Sequence, residues 1–172
     1  MDLVFEFSHT FSPEFCNKII DKFNSETRVK KYDTQDCVDI SYMSGWEEII
    51  EEFEKKVPDF KDMYRKHWMT KWPDVNFEYP MLIKEPLFIR KLNSGDIWES
   101  PHYAKGRFQR FVAFYIYLSD EGETDFIHKK VKAKTGKLVM FPATWHDIYS
   151  HANCKGLHML TGFFHRPLTS FD

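Results

Sequence analysis

Four of the six histidines in the second half of the chain are candidate metal ligands. His102 follows a short apolar run and a turn, whereas His146, His151 and His158 lie close together between two apolar runs. Imidazole is the commonest protein ligand for transition metals. Strands that bring His102 next to the later histidines would place all of them at the mouth of a barrel, where ligand pockets form. We therefore expect a metal pocket that His102 shares with the later histidines.

The elements that must position these histidines are short strands, because the apolar period changes from helical to alternating near Pro86. Runs of β-branched and aromatic residues each end at Gly, Pro, Asn or Asp. Strands are predicted at 87–92, 111–118, 124–127, 137–142 and 157–164, with weaker signals at 79–83 and 97–98. The segment with His146 and His151 is interpreted as a loop before the last strand.

The first half of the chain has mainly helical patterns. An opening strand is predicted at 3–7 and a helix at 13–24, where apolar residues recur three and four positions apart. A short strand is predicted at 38–42. A second helical region covers 46–72, and Pro58 is expected to interrupt it.

Helices followed by many short strands indicate an α+β protein in which the helices buttress one face of a barrel or sandwich. A length of 172 residues fits one domain with its own core. In this interpretation, residues 1–85 supply the N-terminal strand and supporting helices, and residues 86–165 form the β-core.

Composition argues against several classes of function. A net charge of −2 lacks the basic footprint of nucleic-acid binding. The sequence contains neither a long apolar run nor a secretory leader pattern, so we expect no membrane association. Three cysteines without a CxxC pair are typical of reduced thiols and predict a cytoplasmic protein.

Three blocks of sequence, GRFQRFVAFYIYLSDEGETDF, KTGKLVMFPATW and LTGFF, occur in this order. Together they resemble the iron(II)/2-oxoglutarate-dependent oxygenases of the prolyl 4-hydroxylase type, particularly small microbial and viral members. The resemblance covers roughly residues 86–165. It implies a double-stranded β-helix, or jelly roll, with Fe(II) as metal and 2-oxoglutarate as co-substrate. The implied reaction is hydroxylation of a peptidyl side chain or a small molecule.

The same resemblance implies a divergent metal site. His102 matches the first histidine of the family's His-x-Asp/Glu motif, but Ala104 occupies the carboxylate position and cannot bind a metal. Counted without gaps, the distal histidine position falls on Tyr149. His151, in a segment that resembles the RHA-x-C of larger prolyl hydroxylases, is the preferred distal ligand, followed by His146 and then Tyr149.

Two carboxylates near these histidines are candidates for the missing ligand. Glu99 lies three residues before His102, and Asp147 is adjacent to His146. Two imidazoles and one carboxylate on one face would leave coordination positions for the co-substrate and dioxygen.

Resemblance also predicts how 2-oxoglutarate would bind. Leu157 occupies the position of the basic residue that pairs with the far carboxylate of the co-substrate. A carboxylate facing Leu157 would lose its hydration without gaining a partner. Lys155, His158 or Arg110 is predicted to replace the missing cation. Tyr117 and Thr161 match positions that usually hydrogen-bond the co-substrate.

Three functions therefore remain open at this point. The first is an oxygenase with an atypical metal site. The second is a non-catalytic jelly-roll module that uses the barrel mouth for recognition. The third is an enzyme on this scaffold with a changed metal or co-substrate.

Overall fold

The computed structural model of the protein describes residues 3–73, 81–83, 85–99, 108–143 and 149–167. Within these ranges the helices are α1 (Pro13–Ser25) and α2 (Glu47–Lys71). The strands are β1 (Phe5–Phe7), β2 (Lys30–Lys31), β3 (Gln35–Asp39), β4 (Phe88–Leu92), β5 (Asp96–Glu99), β6 (Phe108–Tyr117), β7 (Glu123–Phe126), β8 (Lys129–Lys132), β9 (Leu138–Pro142), β10 (Tyr149–Ala152) and β11 (His158–Pro167).

These strands form two antiparallel sheets. The larger sheet has seven strands in the order β1-β9-β6-β11-β4-β3-β2, and the smaller has four in the order β5-β10-β7-β8. Strands that are distant in sequence become neighbours, as in a jelly roll. The predicted α+β jelly roll with buttressing N-terminal helices is confirmed.

Successive side chains of a strand point to opposite faces of the large sheet, so the interior has two hydrophobic cores. In β6, Val112 and Phe114 face the helices, whereas Ala113, Tyr115 and Tyr117 face the smaller sheet. The first core packs both helices against the large sheet, and the second lies between the two sheets. The large sheet thus separates the supporting helices from the barrel interior.

Helix α1 begins where the sequence predicts. The Ser12 hydroxyl accepts a hydrogen bond from the Phe15 N–H at 3.1 Å, and Pro13 occupies the first turn. This cap satisfies one of the N–H groups that a helix N-terminus leaves unpaired. Cys16, Ile19 and Phe23 then point into the first core.

Helix α2 corrects the expectation that Pro58 interrupts the second helical region. The helix is continuous from Glu47 to Lys71 with Pro58 inside it. A proline in a helix interior removes one hydrogen bond and costs about 3 kcal/mol. Because Phe53, Val57, Phe60 and Tyr64 are all buried on one face, packing on both sides of the proline holds the helix together.

Two segments of the β-structure also differ from expectation. His151 lies in β10, a strand hydrogen-bonded to β5 on one side and β7 on the other, rather than in a loop. The strand predicted at 38–42 is instead β3, three residues earlier, and pairs with β4. In both places the strand neighbours, rather than local alternation, determine the register.

Candidate functional site

The polar centre of the barrel interior is the carboxylate of Glu99. Glu99 ends β5 and is paired directly with Tyr149 of β10, which places both side chains at the same level of the small sheet. Arg90 approaches from β4 of the large sheet. Since the two sheets face each other, residues from three strands meet at one carboxylate.

Three groups contact the Glu99 carboxylate, two through hydrogen bonds and one through an ion pair. The Tyr149 hydroxyl donates to Glu99 Oε2 at 2.9 Å, and His151 Nε2 lies 3.3 Å from the same oxygen. The Arg90 guanidinium forms an ion pair with the carboxylate, and its Nε donates to Gln35 Oε1 at 2.6 Å. His151 is fully buried, and the Glu99 side chain is 17% exposed.

Burial and ion pairing shift the pKa values of Glu99 and Arg90 in opposite directions. Burial alone raises the pKa of Glu99, but the hydrogen bond with His151 and the Arg90 charge outweigh it, so the pKa lies below its usual value. Burial lowers the pKa of Arg90, but the Glu99 carboxylate more than compensates and raises it. Both shifts favour a charged Glu99–Arg90 pair.

A hydrogen-bonded chain fixes the other side of the His151 ring. His151 Nδ1 lies 2.8 Å from Thr124 Oγ1, which is 2.5 Å from the Tyr117 hydroxyl. The Tyr117 hydroxyl also lies 3.3 Å from the Val131 carbonyl oxygen, to which it can donate. Because the Glu99 carboxylate can only accept, Nε2 carries the proton and donates to Oε2, whereas Nδ1 accepts from the Thr124 hydroxyl.

A cavity of about 300 Å³ lies between the two sheets beside Glu99. Its lining includes Arg90, Glu99, Tyr115, Phe141, Tyr149 and Thr161. Burial raises the pKa of Tyr115 and of Tyr149 well above the usual range, so both phenols stay protonated, and the Tyr149 hydroxyl donates to Glu99. The site is thus a largely apolar pocket with one ion pair and a few hydroxyls.

Two of the residues predicted to bind a co-substrate face the barrel interior. Thr161 lines the cavity. Tyr117 lies deeper in the second core, where burial raises its pKa to about 12. Its hydroxyl is directed at Thr124, so Tyr117 supports His151 from behind.

Other predicted co-substrate residues lie at different places in the fold. His158 contacts the Phe23 ring of α1 at 5.6 Å between ring centres, on the helix side of the large sheet, and burial lowers its pKa. Lys155 is exposed after β10. Arg110 forms an ion pair with Glu85 and lies over the ring of Phe163, a cavity residue.

Four residues of the predicted metal site lie outside the described residues, namely His102, Ala104, His146 and Asp147. Of the predicted ligands, the structure therefore brings together His151, Tyr149 and Glu99. Within the described ranges, no group of three or more His, Cys, Asp or Glu side chains converges as a metal site.

Sequence reasoning missed Arg90, the cation at this site. The available signal was its position in the strand, because Arg90 and Leu92 alternate with Ile89, which faces the helices. An arginine at an inward position of a predicted strand indicates a buried partner.

No family model matches the sequence, and no curated protein sequence matches it. Solved structures do match over nearly the whole chain. A viral collagen prolyl hydroxylase from Paramecium bursaria Chlorella virus-1 superposes with a TM-score of 0.64 at 17% identity, over 98% of this chain and 91% of that one. A Trichoplax adhaerens prolyl hydroxylase, in complex with a hypoxia-inducible factor peptide fragment, has a TM-score of 0.65 at 10% identity, over 97% and 84% of the two chains.

A Pseudomonas putida prolyl 4-hydroxylase has a TM-score of 0.57 at 13% identity and matches 96% of this chain and 94% of its own. At such low identity the likeness concerns backbone architecture alone. The chain therefore has the jelly-roll fold that is found in prolyl 4-hydroxylases.

Proposed function

We propose that this protein is an iron(II)- and 2-oxoglutarate-dependent oxygenase, prolyl 4-hydroxylase-like, with an atypical metal site. The observation that carries the proposal is the approach of His151 Nε2 to Glu99 Oε2, at 3.3 Å, inside the jelly roll. The proposed substrate is a peptidyl side chain or a small molecule. Reduced Cys16, Cys37 and Cys154 are consistent with a cytoplasmic location.

The donor atoms at this position suit a divalent metal. Two ligand atoms about 2.1 Å from one ion and at right angles to each other lie roughly 3 Å apart. The separation of Nε2 and Oε2 is close to that value. Thr124 at Nδ1 provides the outer contact that commonly orients a metal-binding histidine.

In this proposal Glu99 replaces the carboxylate that Ala104 lacks. His151 is the distal ligand, with His146 as the alternative, and His102, three residues after Glu99, is the third ligand. When bound, Fe(II) would supply dioxygen activation and 2-oxoglutarate the reducing electrons. The protein would orient both molecules between the sheets and keep bulk water out with the aromatic lining.

The solved structures that share this fold support only a broad class of substrate. The Trichoplax neighbour was solved with a peptide fragment, which supports a peptide as one candidate for this chain. The cavity of about 300 Å³ also suits a small molecule or a single side chain.

The Arg90 ion pair favours a second candidate function, that of a non-catalytic binding module. A guanidinium on Glu99 already neutralises the carboxylate and repels a second cation. A metal must therefore draw Glu99 away from Arg90. A protein without metal would keep the pair and use the cavity for recognition alone.

An anaerobic titration with Mn(II), followed by calorimetry, tests the leading proposal. We expect stoichiometric binding by the wild type and affinity reduced at least tenfold in Glu99→Gln. Glu85→Gln is the matched control, because Glu85 also pairs with an arginine and a histidine but lies outside the cavity lining. Absence of Mn(II) binding, or equal binding by Glu99→Gln, would overturn the proposed site and favour the binding module.

A further inference from the structure

A groove of about 300 Å³ lies between helix α2 and the segment that begins at the end of β1. Among the described residues, it shares no lining residue with the cavity beside Glu99. Its floor is apolar and consists of Phe7, Phe60 and Met63, and Phe7 is 38% exposed. The other described lining residues are polar, namely His9, Thr10, Lys56, Asp59 and Asp62. A volume at the lower end of the range for ligand pockets suits a small molecule with one apolar group.

The Thr10 hydroxyl is buried at this groove and has no hydrogen-bond partner among the described residues. Thr10 is 3% exposed, and its backbone N–H donates to the Gly136 carbonyl at 2.8 Å, which fixes its position. A buried hydroxyl without a partner costs about 1–3 kcal/mol. A ligand that donates to this oxygen or accepts from it would remove that cost. The hydroxyl therefore indicates a polar ligand group beside the apolar floor.

Two opposite charges lie on the rim of the groove, three residues apart on α2. Lys56 and Asp59 both line it, and neither forms an ion pair with a described residue. Asp62, the other acid in the lining, is by contrast paired with Lys66 at 2.6 Å. Side chains three residues apart on a helix are neighbours, with Cβ atoms about 5–6 Å apart. A ligand that carries an ammonium and a carboxylate on one carbon atom can therefore contact both charges at once.

We infer that this groove binds a free apolar amino acid, with leucine as the representative ligand. The α-ammonium pairs with Asp59, and the α-carboxylate pairs with Lys56. The Thr10 hydroxyl, which can donate or accept, contacts the charged end of the ligand. The apolar side chain covers Phe7 and the rest of the floor, which removes apolar surface from water.

This groove is independent of the proposed oxygenase site. It is built from α2 and the end of β1, whereas Glu99 and His151 lie in strands of the small sheet. Amino acid binding here needs neither a metal nor 2-oxoglutarate. Failure of Mn(II) binding would therefore refute the proposed oxygenase and leave the amino acid site standing.

The test is a titration of the isotope-labelled protein with L-leucine in the presence of EDTA, followed through amide NMR shifts. We expect saturable shifts at residues 7–10 and 56–63. N-acetylleucine lacks the ammonium and leucinamide lacks the carboxylate, so each should bind about two- to fivefold more weakly than leucine. Absence of shifts in these two segments, or equal affinity of leucine and both derivatives, would overturn the assignment.

Matched variants of α2 separate the groove from the general charge of the helix. Asp59→Asn removes the proposed partner of the ammonium and is expected to weaken leucine binding about two- to fivefold. Glu51→Gln neutralises an exposed acid of the same helix outside the groove and is expected to leave the affinity unchanged. Unchanged affinity in Asp59→Asn, or an equal loss in both variants, would overturn the assignment.

Thr10→Val tests the buried hydroxyl, because valine keeps the shape of threonine and removes the polar atom. The hydroxyl has no partner among the described residues, so the melting temperature is expected to stay the same or rise. Leucine affinity is expected to fall about threefold, since the ligand loses one hydrogen bond. Undiminished leucine binding by this variant would overturn the contact assigned to Thr10.

Discussion

At the scale of single residues, the state of Glu99 governs the whole site. The same carboxylate pairs with Arg90, accepts from Tyr149 and approaches His151. The Glu99 carboxylate thus contacts a guanidinium, a phenol and an imidazole that come from two sheets. Replacement of Glu99 should therefore lower both the stability of the fold and the affinity for a metal ion.

Glu99 should give the protein a measurable acid-sensitive stability. Its pKa is lower in the folded state than the ordinary 4.5, because Arg90 and His151 stabilise the charged form more than burial disfavours it. A lowered carboxyl pKa stabilises the fold fully above about pH 4.5 and loses that contribution as the pH falls through the folded value. We expect Glu99→Gln to cost about 2–5 kcal/mol near neutral pH.

The measurement is urea unfolding of the wild type and Glu99→Gln from about pH 7 down to about pH 3. The difference in free energy of unfolding should shrink as the pH drops below about 4.5. A difference that stays constant over this range would show that Glu99 is not the titrating group. Other carboxylates with lowered pKa values, such as Glu6 and Glu85, are common to both proteins and cancel in the comparison.

At the scale of elements, the sequence predicted what depends on local pattern. Helix α1 could be predicted because Ser12, Pro13 and the spacing of Ile19 and Phe23 agree with each other. Strand β10 could not, because a run as short and polar as YSHA forms a strand only through hydrogen bonds to β5 and β7. Those partners are distant in sequence, so no local window contains them.

Strand β8 shows the same limit. Its sequence, KKVK, has one apolar residue, Val131, and therefore no recognisable alternation. Pairing with β7 holds it in the small sheet, and Lys130 forms ion pairs with Glu123 and Asp125 across the two strands. Tertiary context decides such edge strands.

Pro58 gives a prediction for helix α2. The proline is exposed in the middle of a continuous helix, so Pro58→Ala should add a backbone hydrogen bond without loss of packing. We expect stabilisation by about 1–3 kcal/mol, reduced somewhat by the greater freedom of the unfolded chain. Urea unfolding measures it, with Asp59→Ala, at the exposed neighbour, as control. Destabilisation by Pro58→Ala would indicate that the proline shapes the helix in a way that packing needs.

At the scale of the whole molecule, the fold was predictable and the site only in part. Strand periodicity after Pro86 and the order of elements indicate a barrel or sandwich, because many residues contribute to that signal, and the family resemblance of residues 86–165 implies the jelly roll. The Glu99–Arg90 pair depends on two side chains from opposite sheets, whose meeting no sequence spacing reveals. No helix in the described part of the chain is long and apolar enough to cross a membrane.

The two cores predict a separation of stability from binding. Ile19 is fully buried in the first core, between α1 and the large sheet, and Phe141 lines the cavity in the second core. Ile19→Ala should destabilise the fold by about 2–5 kcal/mol, and Phe141→Ala by a similar amount. Because the sheet stands between Ile19 and the cavity, only Phe141→Ala should also change Mn(II) affinity in the folded protein.

Chemical unfolding and calorimetry on the same samples separate the two effects. Phe141 packs against Tyr149 at 5.1 Å between ring centres, so its loss releases the phenol that donates to Glu99. Glu99 then depends more on its ion pair with Arg90, from which a metal must draw it away, and we expect Mn(II) affinity to fall by about three- to tenfold. An equal loss of affinity in Ile19→Ala would mean that the helices and the barrel interior respond as one unit, with the large sheet transmitting the change rather than isolating the site.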